Sequence, residues 1–125
     1  MRSKIVIADD SPVIRHFLRL FIQWTTDWQI CGEVENGAAA VALVERLHPH
    51  LLIIDPSMPV MNGLDAVRKI MSISPGIGIV LFTAHASEQF LTEAKSIGIR
   101  AVIPKDSTTS IDDLVAALRE IPRAA

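Results

Sequence analysis

Four short apolar runs, each stopped by a polar residue and separated by segments of helical period, constrain this chain most. They read Ile5-Val6-Ile7-Ala8 before Asp9-Asp10, Leu51-Leu52-Ile53-Ile54 before Asp55, Ile79-Val80-Leu81-Phe82 before Thr83, and Ala101-Val102-Ile103-Pro104 before Lys105. Apolar runs without alternation are what strands covered on both faces look like. A fifth run, Trp28-Gln29-Ile30-Cys31-Gly32-Glu33-Val34, mixes polar and apolar residues and predicts an edge strand. The strands are predicted near 4–9, 28–34, 51–55, 77–83 and 100–104.

The intervening segments carry helix signals. Ser11-Pro12 offers an N-cap hydroxyl with proline in the first turn, and Ile14, Phe17, Leu18 and Phe21 follow at i, i+3, i+4 and i+7 as one inward face. Asn36-Gly37 opens a second helix burying Val41, Val44 and Leu47, and His48-Pro49 stops it. A third runs from Gly63 to Ser72 with Leu64, Val67 and Met71 on one side. A fourth starts at Ser87, buries Phe90, Leu91, Ala94 and Ile97, and ends at Gly98, a left-handed C′ residue. A fifth opens on the capping box Ser110-Ile111-Asp112-Asp113 and turns Ile111, Leu114, Val115 and Leu118 inward. Five alternating β and α units predict an α/β fold, a five-stranded parallel sheet between two layers of helices. With no linker or low-complexity tract, residues 1–125 are expected to form one domain.

In a parallel sheet the carboxyl ends of the strands share one edge, and ligands bind in the crevice outside it. Asp9, Asp10, Asp55, Thr83 and Lys105 are therefore expected in one cleft. The three carboxylates and one ammonium leave two negative charges in excess. Like unit charges about 4 Å apart repel by about 4 kcal/mol at an effective dielectric of about 20. An all-oxygen site with that excess calls for a hard divalent cation. Mg2+ suits it, because Mg2+ takes one or two carboxylates, keeps waters and accepts phosphate oxygens. Asp55, alone at the end of the central run, is the predicted nucleophile, giving an aspartyl-phosphate. Mg2+ and Lys105 would neutralise the transferring oxygens, and Thr83 would donate a hydrogen bond to one of them.

Other function classes are disfavoured. Net charge is −2 and no Lys/Arg run exists, so nucleic acid is not an expected partner of this segment. No run approaches the roughly 20 apolar residues of a membrane span, and Asp9-Asp10 cut the first run too early for a signal peptide. A lone Cys31 cannot form an internal disulfide; a reducing, cytoplasmic setting and a buried structural thiol are expected. No G-x-G-x-x-G follows the first strand, which argues against a dinucleotide site. Arg15 and Arg19 are expected on a solvated helix face, His48-Pro49-His50 in a solvated turn, and Trp24 and Trp28 over the end of the first helix.

Together, Asp9-Asp10, the run from Asp55 through Pro56-Ser57-Met58-Pro59-Val60-Met61-Asn62 to Gly63, Thr83-Ala84 and Lys105 resemble the receiver domain of two-component response regulators, over essentially the whole chain. Gly32-Glu33-Val34-Glu35-Asn36-Gly37 and Pro104-Lys105-Asp106 resemble the NarL/LuxR branch, whose members usually carry a helix-turn-helix output domain. The resemblance implies a flavodoxin- or CheY-like sheet in the order 2-1-3-4-5. It implies Asp55 as phosphoacceptor for a sensor histidine kinase. Asp10 would bind Mg2+ directly, Asp9 through water, and Ser57 through its backbone carbonyl. Thr83 would be the switch hydroxyl and Lys105 the phosphoryl clamp. Ser57 and His85 line the mouth of such sites and tune phosphoryl lifetime. The output surface would be the fourth helix, fifth strand and fifth helix, or the first and fifth helices, with a homodimer on phosphorylation and transcription as the controlled process.

Three departures stand out. Asp106 follows the clamp Lys where many receivers have proline, which predicts a trans bond, since a cis non-proline bond costs about 2.5–4 kcal/mol. Val102 holds the place of the usual aromatic switch residue, and Pro56 removes the N–H after the phosphoacceptor. The competing reading is a phosphorylation-independent docking module of the same fold. An aspartyl-phosphate phosphatase is disfavoured because Ser57 stands where its general acid would be. The five residues after the last predicted helix leave no room for a DNA-binding module, so the chain is expected to be a stand-alone receiver or one excised from a longer regulator.

Overall fold

The computed structural model describes residues 3–58, 61, 63–84, 87–105 and 110–120, with backbone only at 110 and 111. The elements alternate strictly: β1 (Lys4–Ala8), α1 (Pro12–Thr25), β2 (Gln29–Val34), α2 (Gly37–Leu47), β3 (Leu51–Ile54), α3 (Gly63–Ile73), β4 (Gly78–Thr83), α4 (Glu88–Ile97), β5 (Ala101–Pro104) and α5 (Ser110–Glu120). Each strand closes within a residue of its predicted end. All four strand pairs are parallel and the order is β2-β1-β3-β4-β5, with β2 on an edge as its mixed pattern implies.

The pleat sorts the apolar runs between two cores. Val6, Ala8, Leu52, Ile54, Ile79 and Leu81 face α2, α3 and α4 through Ala40, Val44, Leu64, Val67, Ile70 and Ala94. Ile5, Ile7, Leu51, Ile53, Val80, Phe82 and Ile103 face α1 and α5 through Leu18, Ile22, Leu114 and Leu118. Covering on both faces is why β1, β3 and β4 contain almost no polar residue.

Local signals explain the helix ends. Ser11 Oγ accepts from the Ile14 N–H, Asn36 Oδ1 from Ala39 and Ser87 Oγ from Phe90, so three helices start on side-chain caps. Gly98 closes α4 with φ 95°, and His48 closes α2 in the same left-handed region with φ 46°. The Ser110 capping box, the inward Ile111, and the Lys105–Asp106 bond lie outside the described side chains and residues.

Several expectations need correction. Phe17 is 41% exposed, because α1 turns Leu18 and Ile22 into the core instead. Leu91 is also 36% exposed, and Leu47 is only half-buried. Trp28 is buried, but Trp24 points outward, 82% exposed, and does not cover the helix end. Cys31 is half-buried rather than buried. It is the extra residue where the β1–β2 register shifts, and its thiol faces the Ile5 carbonyl at 3.5 Å. His48 is exposed as expected, whereas His50 is not a solvated turn residue: its Nδ1 accepts the Lys4 N–H at 2.9 Å and pins the start of β1.

Candidate functional site

Parallel register delivers the acidic residues together. Ala8 pairs with Ile54, so Asp9 and Asp55 leave adjacent strands side by side. The Asp55 N–H donates to the Ala8 carbonyl at 2.9 Å, and the Asp9 N–H to the Val34 carbonyl at 3.0 Å. On the other flank Thr83 pairs with Pro104, and the Lys105 N–H donates to the Thr83 carbonyl at 2.8 Å, which seats Lys105 just beyond β5. Asp9, Asp55 and Thr83 are buried, whereas Asp10 is exposed at the rim.

Ligand oxygens of Asp9, Asp10 and Asp55 lie within 4.8 Å of one another. The Lys105 Nζ donates to Asp9 Oδ2 and to Asp55 Oδ2, each at 2.7 Å, and stands 5.7 Å from the centre of the Phe82 ring. Two backbone donors orient the carboxylates: the Ser11 N–H reaches Asp9 Oδ1 at 2.9 Å and the Ser57 N–H reaches Asp55 Oδ1 at 2.8 Å. These are Asx-type turns, the geometry that short acidic side chains favour at strand ends. One ammonium for three carboxylates leaves the negative excess expected from the sequence. An all-oxygen donor set of that charge fits a hard divalent cation.

Burial lifts the Asp9 carboxyl above the ordinary aspartate value of 3.8; the Lys105 ammonium and the Ser11 N–H offset this only in part. For Lys105, burial pulls the ammonium down, but hydrogen bonds to Asp55 and Asp9 outweigh it and hold it above the ordinary 10.5. The two shifts have opposite consequences. The Lys105 contribution to stability is complete below 10.5 and is lost only as pH rises through its raised range. Asp9 binds its proton more tightly folded than unfolded, so stability falls as pH rises from 3.8 through its raised range. Metal-free protein is therefore expected to gain stability relative to Asp9→Asn as pH is lowered through that window. Urea melts of both proteins at a series of pH values check this, and a difference flat in pH would contradict it.

The response regulator receiver domain family matches residues 5–119. The chain belongs to that family. Transcriptional regulatory protein YdfI of Bacillus subtilis (strain 168) is 33% identical to this receiver over 119 residues, 94% of the chain and 55% of YdfI. Chemotaxis protein CheY of Thermotoga maritima is 31% identical over 123 residues, 98% of the chain and 100% of CheY. A DNA-binding response regulator of the LuxR family from Staphylococcus aureus superposes with a TM-score of 0.87 at 25% identity, covering 95% of this receiver and 98% of that chain. The receiver spans about half the length of the transcriptional regulators it matches. No described helix is long and apolar enough to cross a membrane.

The predicted residues fall as follows. Asp9, Asp10, Asp55 and Lys105 meet directly, and Thr83 ends the neighbouring strand. Ser57 is exposed beside Asp55, and Val102 is half-buried against the α2–α3–α4 core. His85 lies outside the described residues. Sequence reasoning missed Arg15. Its Nη1 donates to the Asp9 carbonyl at 2.6 Å, and its Nε lies 3.8 Å from Glu33, which also pairs with Arg19 at 3.1 Å. The expected solvated face of Arg15 and Arg19 is thus corrected: both turn onto the end of β2. Only the register of α1 against β2 reveals this.

Proposed function

We propose that this receiver, residues 1–125, accepts a phosphoryl group on Asp55 from the phosphohistidine of a sensor histidine kinase and switches a protein-contact surface in response. The observation that carries the reading is the meeting of the Asp9, Asp10 and Asp55 oxygens within 4.8 Å beside the Lys105 ammonium. An Asp55 oxygen attacks phosphorus; the P–O bond forms as the P–N bond to the imidazole breaks. The imidazole leaves with that electron pair and takes up a proton. Lys105, released from its bridge, would follow the phosphoryl oxygens, and the Thr83 hydroxyl would donate to one of them. Asp10 would hold Mg2+ directly, Asp9 through water, and Asp55 and the Ser57 carbonyl would complete the protein's share. Bound there, the ion would neutralise charge on the transferring group. Water later cleaves the acyl phosphate, so the domain turns over only its own modification and is not an enzyme for free substrates.

Phosphorylation would bias the region between β4 and α4 between two populations, read out on the α4–β5–α5 face or the α1–α5 face. Val13, Phe17, Leu20 and Trp24 form an exposed apolar stripe along α1, with Val13 75% exposed, which supports α1 as a protein contact for the kinase or for a second receiver on phosphorylation. Relatives about twice as long and named transcriptional regulators support a transcriptional output, with DNA contacted outside this domain. A cytoplasmic location follows from that role.

Incubation with Mg2+ and acetyl phosphate tests the reading. A phosphoryl-sized mass gain that EDTA prevents is expected; no gain in the folded protein would favour the docking module instead. We further expect His85→Ala to alter the dephosphorylation rate of the labelled protein while leaving uptake intact. Equal decay rates in the two proteins would refute a tuning role.

A further inference from the structure

Asp9 is anchored through both of its backbone polar groups to the last two residues of β2. Its N–H donates to the Val34 carbonyl at 3.0 Å. Its carbonyl, already beyond the strand ladder, accepts from Arg15 Nη1 at 2.6 Å. The Arg15 guanidinium is held in turn by Glu33, with Nε and Oε1 3.8 Å apart, and is mostly buried at 19% exposure. Glu33 Oε2 also takes Arg19 at 3.1 Å, which fixes the carboxylate from a second side. The Asp9 peptide thus sits between β2 and the Asp55 peptide, whose N–H bonds to Ala8.

From this we infer that Arg15 is a positioning residue for the acidic site: by clamping the Asp9 carbonyl against Glu33 it fixes the turn that aims the Asp9 and Asp10 carboxylates at Asp55. The inference rests on the proposed reading of the site as a divalent-cation centre. Removing the clamp leaves Asp9's N–H bond and Ser11's turn in place, but frees the Asp9–Asp10 peptide to rotate, so the carboxylates lose their mutual aim. Groups that orient ligands without touching the ion matter at this level, and losing one typically weakens binding 10–100-fold. Arg15 is suited to the task because its planar fork presents donors to two acceptors at once, which a lysine ammonium on a flexible stem does less well.

The experiment is Mg2+ binding by calorimetry on the full chain, with no phosphodonor, alongside thermal melts. Arg15→Met is expected to weaken Mg2+ binding about tenfold. Arg15→Lys, which keeps a donor for the Asp9 carbonyl, is expected to recover part of that loss. Arg19→Met, which removes a second partner of Glu33 but leaves Arg15 on the Asp9 carbonyl, is expected to stay near wild type. If Arg15→Met does not fold, Glu33→Gln carries the same test, because it leaves Arg15 without its charged partner; a measurable loss of Mg2+ affinity is then expected. A folded Arg15→Met, or Glu33→Gln in its place, that melts lower yet binds Mg2+ as wild type does would overturn the inference and leave Arg15 a structural residue. Wild-type protein that binds no Mg2+ would instead overturn the reading of the site, and the inference with it.

Discussion

Asp55→Ala is expected to abolish phosphoryl uptake from acetyl phosphate, lowering its rate by at least about 10³-fold, the scale on which a missing nucleophile is felt. Asp9 is not expected to replace it: its side chain is less accessible, 2% exposed against 8% for Asp55, and its proposed role is to help hold the cation. Asp10 is exposed at the rim, and among the described residues no backbone N–H orients its carboxylate as that of Ser57 orients Asp55. The fold should survive, since the change leaves Lys105 paired with Asp9 and removes one charge from a crowded cluster. Intact-mass measurements with matched circular dichroism separate the two effects. A folded Asp55→Ala that still gains a phosphoryl group would place the acceptor elsewhere.

The second large effect is expected at Gly63. A Cβ there would overlap the Pro56 Cα and stand 2.6 Å from the Pro56 carbonyl carbon, all backbone atoms with no rotamer to give way. The Gly63 N–H also donates to that carbonyl at 3.1 Å, so α3 begins directly against the loop that leaves Asp55. Gly63→Ala must therefore push α3 and the Pro56 loop apart. A loss of about 3 kcal/mol is expected, the upper part of the range for overpacking, with the melting midpoint lower by roughly 10 °C or more. The same displacement moves the Asp55 carboxylate, so phosphoryl uptake should fall with stability. Urea melts showing less than about 1 kcal/mol of change would contradict so close a contact.

Much of this molecule was legible because the chemistry sits where strands end. In β1, β3, β4 and β5 an abrupt change from apolar to polar marks the edge of the sheet, and parallel connectivity puts Asp9, Asp55, Thr83 and Lys105 on the same edge without knowledge of any contact. The caps at Ser11, Asn36 and Ser87 were equally local. What stayed hidden depends on how elements face one another. The apolar residues of α1, Val13, Ile14, Phe17, Leu18, Leu20, Phe21, Ile22 and Trp24, spread over more than half of its circumference opposite Arg15, His16, Arg19 and Gln23, wider than the face that is buried, so the period alone does not select the inward residues, and Phe17 was misassigned. Arg15 looked solvated because nothing in sequence brings Glu33 and the Asp9 carbonyl to it. The shift that leaves Cys31 half-buried belongs to the β1–β2 pairing, and the bond from Lys4 to His50 spans two strand starts far apart in the chain.

Locating the modified residue tests the central claim most directly. Protein phosphorylated with acetyl phosphate and Mg2+ is reduced with borohydride, which converts an aspartyl acyl phosphate to homoserine, and is then digested and mapped by mass. Homoserine at position 55, absent when EDTA accompanies the phosphodonor, is the expected result. Conversion at another carboxylate, or at none despite a phosphoryl mass gain, would contradict a site in which Asp9, Asp10 and Lys105 prepare Asp55 for phosphoryl transfer.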